Sequence, residues 1–526
     1  MDRRVASAKR GLLLLAIPTA LFSAYLFMEG DMLGLIAVSL TGGVIAAFIL
    51  YYNTRRVPRR IDEHLISIIL HMYVVSQGEV GPDDLVKVIA ETEDYGYYSE
   101  VFRRIRELAK KFGYGFTKAT SHIARTVKPP FRDILIRCTE IFSTTNPKGF
   151  LELESSTMME EYSGHYLRSV EAMRVLSGIF STFQSVIIFI IMTLSILTVF
   201  TSDPNIVYYS YAISIPAILA IFLGFKSVVP KNKLIHMDKD EPPRLYRAFR
   251  LTLPLALASA APAMVVAQMV GYAYGFILMG LALLIPGILA YKFETFVMKV
   301  DEHYPALIKC LGENLVSTSS FRAALSYVLY MDLGPLKSLL KRALARVSIG
   351  ISNEKSMSLL SSEAASYRVY MTNKMFLDSL GYGGNPLEVG KILGNNFVKF
   401  LEFRKRRLSV AKNLKAVILI LQPMVIALLV ITRYLCSFFS ESLVSLPFFA
   451  FGEIPVPVIE TGNLILALLI AVINAQVIRE VRGGFYGTSF LYTGILLILS
   501  GVSWLVAELL MDVAFTPIAR GLGGFI

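Results

Sequence analysis

The chain has 526 residues, of which 54% are hydrophobic and 17% charged, with a formal net charge of +12. A mean hydropathy of +0.57 argues against a string of soluble domains and for a polytopic membrane protein. The positive charge would suit nucleic acid, but loop topology and attraction to an anionic inner leaflet account for it, so no nucleic-acid partner is expected.

Nine apolar segments are long enough to be candidate spans: 11–28, 32–52, 182–200, 208–225, 251–269, 272–291, 416–436, 464–477 with its flanks, and 490–510. The first pair is separated by Glu29-Gly30-Asp31 and the fifth and sixth by a Gly-Tyr turn, so both pairs read as helical hairpins. Lys and Arg concentrate before the first span, after the second, between the fourth and fifth, and between the eighth and ninth (Arg479, Arg482). Acidic residues such as Glu29, Asp31, Asp203, Glu453 and Glu460 fall on the other side. Basic loops are retained in the cytoplasm, which predicts a cell-membrane protein with a cytoplasmic N-terminus and an outer C-terminus. The run after Lys9-Arg10-Gly11 could pass for a processed leader; the repeat described next predicts an uncleaved first span, because that span matches the fifth.

The chain repeats itself at an offset of about 240 residues. Ile61-Asp62-Glu63-His64 returns as Val300-Asp301-Glu302-His303, Asn146-Pro147 as Asn385-Pro386, and Ser169-Val170 as Ser409-Val410. Each unit reads as hairpin, cytoplasmic block and two further spans, so one unit was duplicated in the same orientation. The predicted layout is a first hairpin (1–52), a first bundle (53–180), spans three and four (181–228), a solvated linker (229–250), a second hairpin (251–291), a second bundle (292–415), and spans seven to nine with an outer tail (416–526). The ninth span has no counterpart in the first unit, and its Glu508 and Asp512 are expected near the outer headgroups.

Within the blocks, Leu65, Ile68, Ile69 and Tyr73 recur at helical spacing, as do Val101, Ile105 and Leu108. Gly81-Pro82-Asp83-Asp84 has the composition of a helix start, while Gly113 and Gly115 punctuate the first block and Gly334-Pro335 and 381–386 the second. About six helices are expected in each block, the last running on into the following span from about Phe150 and Lys391. The fold class is therefore all-α: about nine transmembrane helices and two duplicated helical bundles.

Sites of chemistry are scarce. Gly384 to Lys391 glances toward a phosphate-binding loop, but the spacing is one residue too long and Ile392 stands where a hydroxyl is needed. Each Asp-Glu-His triplet spreads its side chains about 100° apart on a helix and cannot close a metal site alone. Cys138, Cys310 and Cys436 lack CxxC spacing. No catalytic, cofactor or metal residue is predicted. The basic clusters are more informative. Arg103, Arg104 and Arg106 lie in the first bundle, and Lys341, Arg342 and Arg346 at the matching place in the second; such pairs suit an acidic partner. Arg55, Arg56, Arg59 and Arg60, and Arg404, Lys405, Arg406 and Arg407, sit beside spans and are expected to hold lipids of the inner leaflet.

The order Gln77-Gly78-Glu79-Val80, Leu85 to Ala90, Phe102-Arg103-Arg104-Ile105 and Gly113-Tyr114-Gly115-Phe116 resembles the type II secretion system F domain. A second copy follows through Ser317 to Phe321, Ala323, Leu325, Leu340-Lys341-Arg342-Ala343 and Ile349-Gly350-Ile351. With its extra spans and hairpins, the chain is most similar in pattern to the archaeal platform proteins of type IV pili and of the archaellum. That resemblance implies a non-enzymatic platform that engages a cytoplasmic secretion ATPase and couples it to insertion of pilin or archaellin subunits, and it is compatible with a homodimer. A parallel-repeat secondary transporter is the alternative.

Overall fold

The computed structural model describes residues 61–142, 147–201, 203–237, 242–318, 320–443 and 455–522, and within them the regular structure is helical with a single isolated bridge between Ile235 and Ser366. The spans predicted at 11–28 and 32–52, and Arg55, Arg56, Arg59 and Arg60, lie outside the described residues.

The first block is built from α1 (Glu63–Val75), α2 (Pro82–Glu91), α3 (Tyr97–Lys111), α4 (Phe116–Ala124) and α5 (Phe131–Ile141). Helix α2 begins at the predicted start: Pro82 opens it, and the Asp84 carboxylate accepts the Gly81 N–H at 3.1 Å, satisfying a donor that no helical carbonyl reaches. Helix α3 buries Tyr98, Val101, Phe102 and Ile105 on one face. The backbone then turns through Gly113 and Gly115, whose φ of 68° and 73° favours glycine.

Helix α6 (Pro147–Thr201) is 55 residues long and runs unbroken from this block into the span predicted at 182–200. At 1.5 Å per residue its length is roughly 80 Å, far more than a bilayer needs. Helix α7 (Asn205–Val228) returns. The second unit comprises α8 (Arg244–Ala258), α9 (Ala260–Met269), α10 (Tyr272–Thr318), α11 (Phe321–Val328), α12 (Leu336–Ser348), α13 (Asn353–Ala364), α14 (Tyr367–Gly381) and α15 (Pro386–Leu443). Helices α16 (Val456–Arg482) and α17 (Thr488–Leu522) complete the described fold. Among the described residues, seven helical segments are long and apolar enough to cross a membrane: α6, α7, the α8–α9 pair, α10, α15, α16 and α17.

The fifth span falls within Arg244–Met269, with a one-residue interruption at Ser259, where Pro262 has no N–H to give the Ala258 carbonyl. One expectation needs correction. The linker is neither fully irregular nor simply solvated. Arg244 to Arg250 already belong to α8. Upstream, the His236 N–H donates to Ala365 O at 3.1 Å and the Tyr367 N–H to Leu234 O at 3.0 Å. The His236 ring stacks 3.7 Å from that of Tyr370. Lys233 sits 4.2 Å over the Tyr367 ring and 3.6 Å from Asp94. The linker is thus a strap touching both blocks.

The ninth predicted span, α17, packs antiparallel along α10. A side chain at Gly280 would collide with Gly494 O at 2.8 Å, one at Gly287 with Leu491 N at 2.4 Å, and one at Gly501 with Ala273 O at 2.6 Å. Small residues let backbones approach where lipid gives no hydrophobic drive for helices to associate. Outside the membrane, α10 and α15 cross in the same way: a Cβ on Gly312 would lie 2.3 Å from Pro386 O. Gly312→Ala should therefore force these backbones apart and cost about 1–3 kcal/mol, read as a lower melting temperature in detergent; an unchanged melt would show that the crossing is not tight.

All three cysteines are free. Burial pushes the Cys138 thiol up to about 12, so its reactive thiolate is scarce at neutral pH. Peptide mapping after maleimide treatment of the folded protein at pH 8 should find Cys138 unmodified and, after denaturation, fully labelled. Rapid native labelling would contradict its place in the core.

Candidate functional site

Helices α6 and α15 occupy equivalent places in the two repeats and lie side by side, parallel and nearly in register. Lys148 and Glu388, 240 residues apart, pair at 3.1 Å. Further along, Tyr162 meets Phe400 and Phe403, and Tyr166 stacks on Phe403 with ring centroids 5.1 Å apart. At the level of the span, Ser177, Ser181 and Ser185 face Val410, Leu414 and Val417 across a cleft of about 570 Å³. Contact between equivalent positions places a pseudo-twofold relation along this seam. Two parallel helices starting from the same end put both bundles at that end of the pair.

One buried ion pair crosses the seam between the repeats, and a second lies within the second repeat. Glu63 at the start of α1 pairs with Arg368 on α14 at 2.6 Å, although 305 residues separate them. The Arg368 guanidinium also lies 3.8 Å over the Phe400 ring. Asp301, wholly buried, pairs with Arg404 at 2.6 Å and accepts a hydrogen bond from Ser366. The Ser379 hydroxyl donates to Val74 O at 2.7 Å, and the Glu79 N–H to Tyr382 O at 3.1 Å. The two Asp-Glu-His triplets thus have structural partners: Asp62 caps α1 through the Leu65 N–H at 2.9 Å, and His64 lies 3.3 Å from the Tyr367 hydroxyl. The stretch from Gly384 to Lys391 is a helix start, with Asn385 accepting the Leu387 N–H at 3.0 Å and Gly390 packed on Ile308 O.

The basic clusters divide into committed and outward-facing members. Arg106 pairs with Asp83 at 3.0 Å and Lys110 with the same carboxylate at 2.5 Å. Burial alone would raise the Asp83 pKa; these hydrogen bonds outweigh it and hold the carboxyl below its usual range. In the second bundle Arg342 and Arg346 converge on Glu363, Arg342 at 3.2 Å. Arg103, which reaches Ala90 O at 3.4 Å, Arg104 and Lys341 are exposed. Beside them stand apolar tips that sequence reasoning missed: Phe112 and Tyr114 after α3, and Ile349 after α12, the last 78% exposed. The positive-φ glycines 113, 115 and 350 were the available signal.

Of the second membrane-proximal cluster, Lys405 and Arg406 are exposed, but Arg404 is spent on Asp301. Arg407 is buried and donates to Val481 O, Pro230 O and Glu480 O at 2.6–2.9 Å. These two side chains point into the protein, because neighbouring helical residues face different ways. At the far membrane end, Arg433 pairs with Glu460 at 3.2 Å and Glu508 at 3.4 Å, and Tyr434 donates to Asp512 at 2.7 Å.

Paired bundles, each feeding a span through one unbroken helix, define a multi-pass helical membrane protein made of two tandem units. The chain is homologous to archaeal flagella accessory protein J. It is 26% identical to that protein of Methanococcus voltae over 369 residues, 66% of this chain and 66% of the relative. It is 25% identical to that of Methanocaldococcus jannaschii over 372 residues, 66% of this chain and 65% of the relative. The chain therefore spans just under two thirds of the length of these curated relatives. No protein-family profile and no solved structure matches it.

Proposed function

We propose that this protein is the membrane platform of an archaeal type IV filament, a pilus or an archaellum, and that it transmits the work of a cytoplasmic secretion ATPase to the insertion of pilin or archaellin subunits. The observation that carries this reading is the pair of unbroken helices, α6 of 55 residues and α15 of 58, which join each bundle to the membrane. A force on a bundle is carried into the bilayer along such a helix, since each turn is held by its own backbone hydrogen bonds. The bundles lie in the cytoplasm, as the basic loops require, and the two repeats form separate docking surfaces at Arg103, Arg104 and Arg106 and at Lys341, Arg342 and Arg346. Arg103, Arg104 and Lys341 supply charge for an acidic partner, while Arg106, Arg342 and Arg346 fix the helices that present it. Lys405 and Arg406, with Arg55, Arg56, Arg59 and Arg60, meet the inner leaflet. Homology to flagella accessory protein J supports the reading, and the role is non-enzymatic.

Among the described residues no observation favours the transporter alternative. Two of the polar residues at span centres bond within the protein: Gln422 donates to Ser500 at 2.9 Å, and Asn474 to Gln422 at 2.8 Å. The test is co-purification from native membranes with a tag on this chain. A secretion-type ATPase should be recovered with it, and its consistent absence after mild crosslinking would refute the proposal.

A further inference from the structure

After α16 the chain adds α17, whereas after α7 it passes into the strap. Helix α17 covers one face of α15. Gln422 donates to Ser500 at 2.9 Å, the Pro423 carbonyl accepts from Ser503 at 2.7 Å, and Arg433 lies 3.4 Å from Glu508. Between these contacts, on the same side of the helix, Ile426 and Val430 are wholly buried.

The equivalent face of α6 stands open. The two long helices keep register at 240 residues, as the Lys148–Glu388 pair shows, so Val186 matches Ile426 and Ile190 matches Val430. Val186 is 46% exposed where Ile426 is 0%, and Ile190 is 45% exposed where Val430 is 0%. Thr182, Phe183, Thr193 and Leu197 extend the same exposed stripe at helical spacing. At its bundle-side end the stripe meets the cleft of about 570 Å³, where Thr182 stands opposite Val417 and Leu421. The glycines repeat the contrast. Gly280, Gly287, Gly494 and Gly501 are closed by the α10–α17 contact, whereas among the described residues nothing lies within 4 Å of a Cβ placed on Gly178 of α6 or Gly224 of α7.

A face that one repeat covers with an apolar helix and the other leaves open fits a guest of the same kind. Small residues in a span admit the close approach of a second backbone, which fluid lipid does not need. We infer that the open face of α6, with the cleft at its foot, docks the transmembrane helix of a filament subunit, lying as α17 lies against α15. This rests on the platform reading above and adds the place where the subunit is received. The guest is a helix of roughly 20 apolar residues with small residues toward α6, as α17 presents Gly494, Ser500 and Gly501. Because α6 runs unbroken into the first bundle, a helix seated on it rides on the rod that the bundle moves.

A photo-crosslinking amino acid in place of Val186 or Ile190, in cells that assemble filaments, tests this; the probe is the subunit whose filaments disappear when the gene is deleted. That subunit should be captured through its apolar helix from both positions, and not from Leu255 or Met264, which are exposed on α8 and α9. Thr182→Trp with Val186→Trp fills the face at two exposed positions. It should cut surface filaments at least about tenfold, as overpacking a contact does, with ATPase recovery and melting temperature unchanged. Leu255→Trp with Met264→Trp should leave filament numbers intact. Capture of residues 11–52 of the same chain, of a second copy, or of lipid alone would overturn this docking site and leave the platform reading standing. So would normal filaments in the Thr182→Trp and Val186→Trp variant, or equal capture from all four positions, which would reveal passing contact in the bilayer. Filaments that survive deletion of the gene would instead remove the platform reading, and this inference with it.

Discussion

Arg368→Met should destabilise the protein by about 3–5 kcal/mol, because it leaves the Glu63 carboxylate buried without its cation. The side chains are only 12% and 8% exposed, so solvent can replace little of what is lost. The Arg368 contact over Phe400 goes as well, worth about 1–2 kcal/mol when desolvated. Because α1 belongs to the first repeat and α14 and α15 to the second, the damage falls on the seam. Limited proteolysis should show the two bundles separating before either loses its helices. Adding Glu63→Leu to Arg368→Met should recover most of the loss, since a buried pair replaced by apolar residues is often neutral. If the single variant melts within 1 kcal/mol of wild type, the pair does not hold the repeats together.

Charge reversal at both basic helices should reduce ATPase binding far more than reversal at either one. Arg103→Glu with Arg104→Glu removes the exposed cations of the first bundle, and Lys341→Glu that of the second. If each bundle engages one subunit of the same partner, the second contact forms at an effective concentration set by the rigid frame. Losing either surface then costs up to 10²–10⁴-fold in avidity. Reversal at both surfaces should abolish measurable binding, and weakening of the wild-type complex with salt should be steep. Arg106→Gln makes a useful contrast: it loosens α3 from Asp83 and should act through the melting temperature. Equal binding by wild type and the triple reversal, measured by interferometry with the purified ATPase, would remove these residues from the interface.

Local features of the fold were legible in the sequence. The start of α2 rests on four consecutive residues, and the repeat itself is a matter of matching strings 239 or 240 positions apart. The joining of each bundle to its span was visible because nothing between Pro147 and Thr201 interrupts a helix. What escaped reading depends on partners distant in sequence. Asp301 is 103 residues from Arg404, and Val481 is 74 from Arg407, so a run of four basic residues looked uniformly like a lipid anchor. In the folded protein Arg404 and Arg407 face the interior, and Lys405 and Arg406 between them face the surface. The linker misled for a related reason. Its Lys, Asp and Pro content suggested solvent, whereas Leu234 and Ile235 within it lie against the second bundle. The exposed tips at Phe112, Tyr114 and Ile349 also escaped, because apolar residues beside a helix end read as core until the neighbouring glycines are seen to turn them outward.

Deletion of the gene in its native cell, followed by electron-microscopic counting of surface filaments, tests the platform role most directly. Filaments of one class should vanish and return with the wild-type gene, while the triple reversal of Arg103, Arg104 and Lys341 should fail to restore them although the protein reaches the membrane. Unchanged filament numbers in the deletion strain would contradict the role outright.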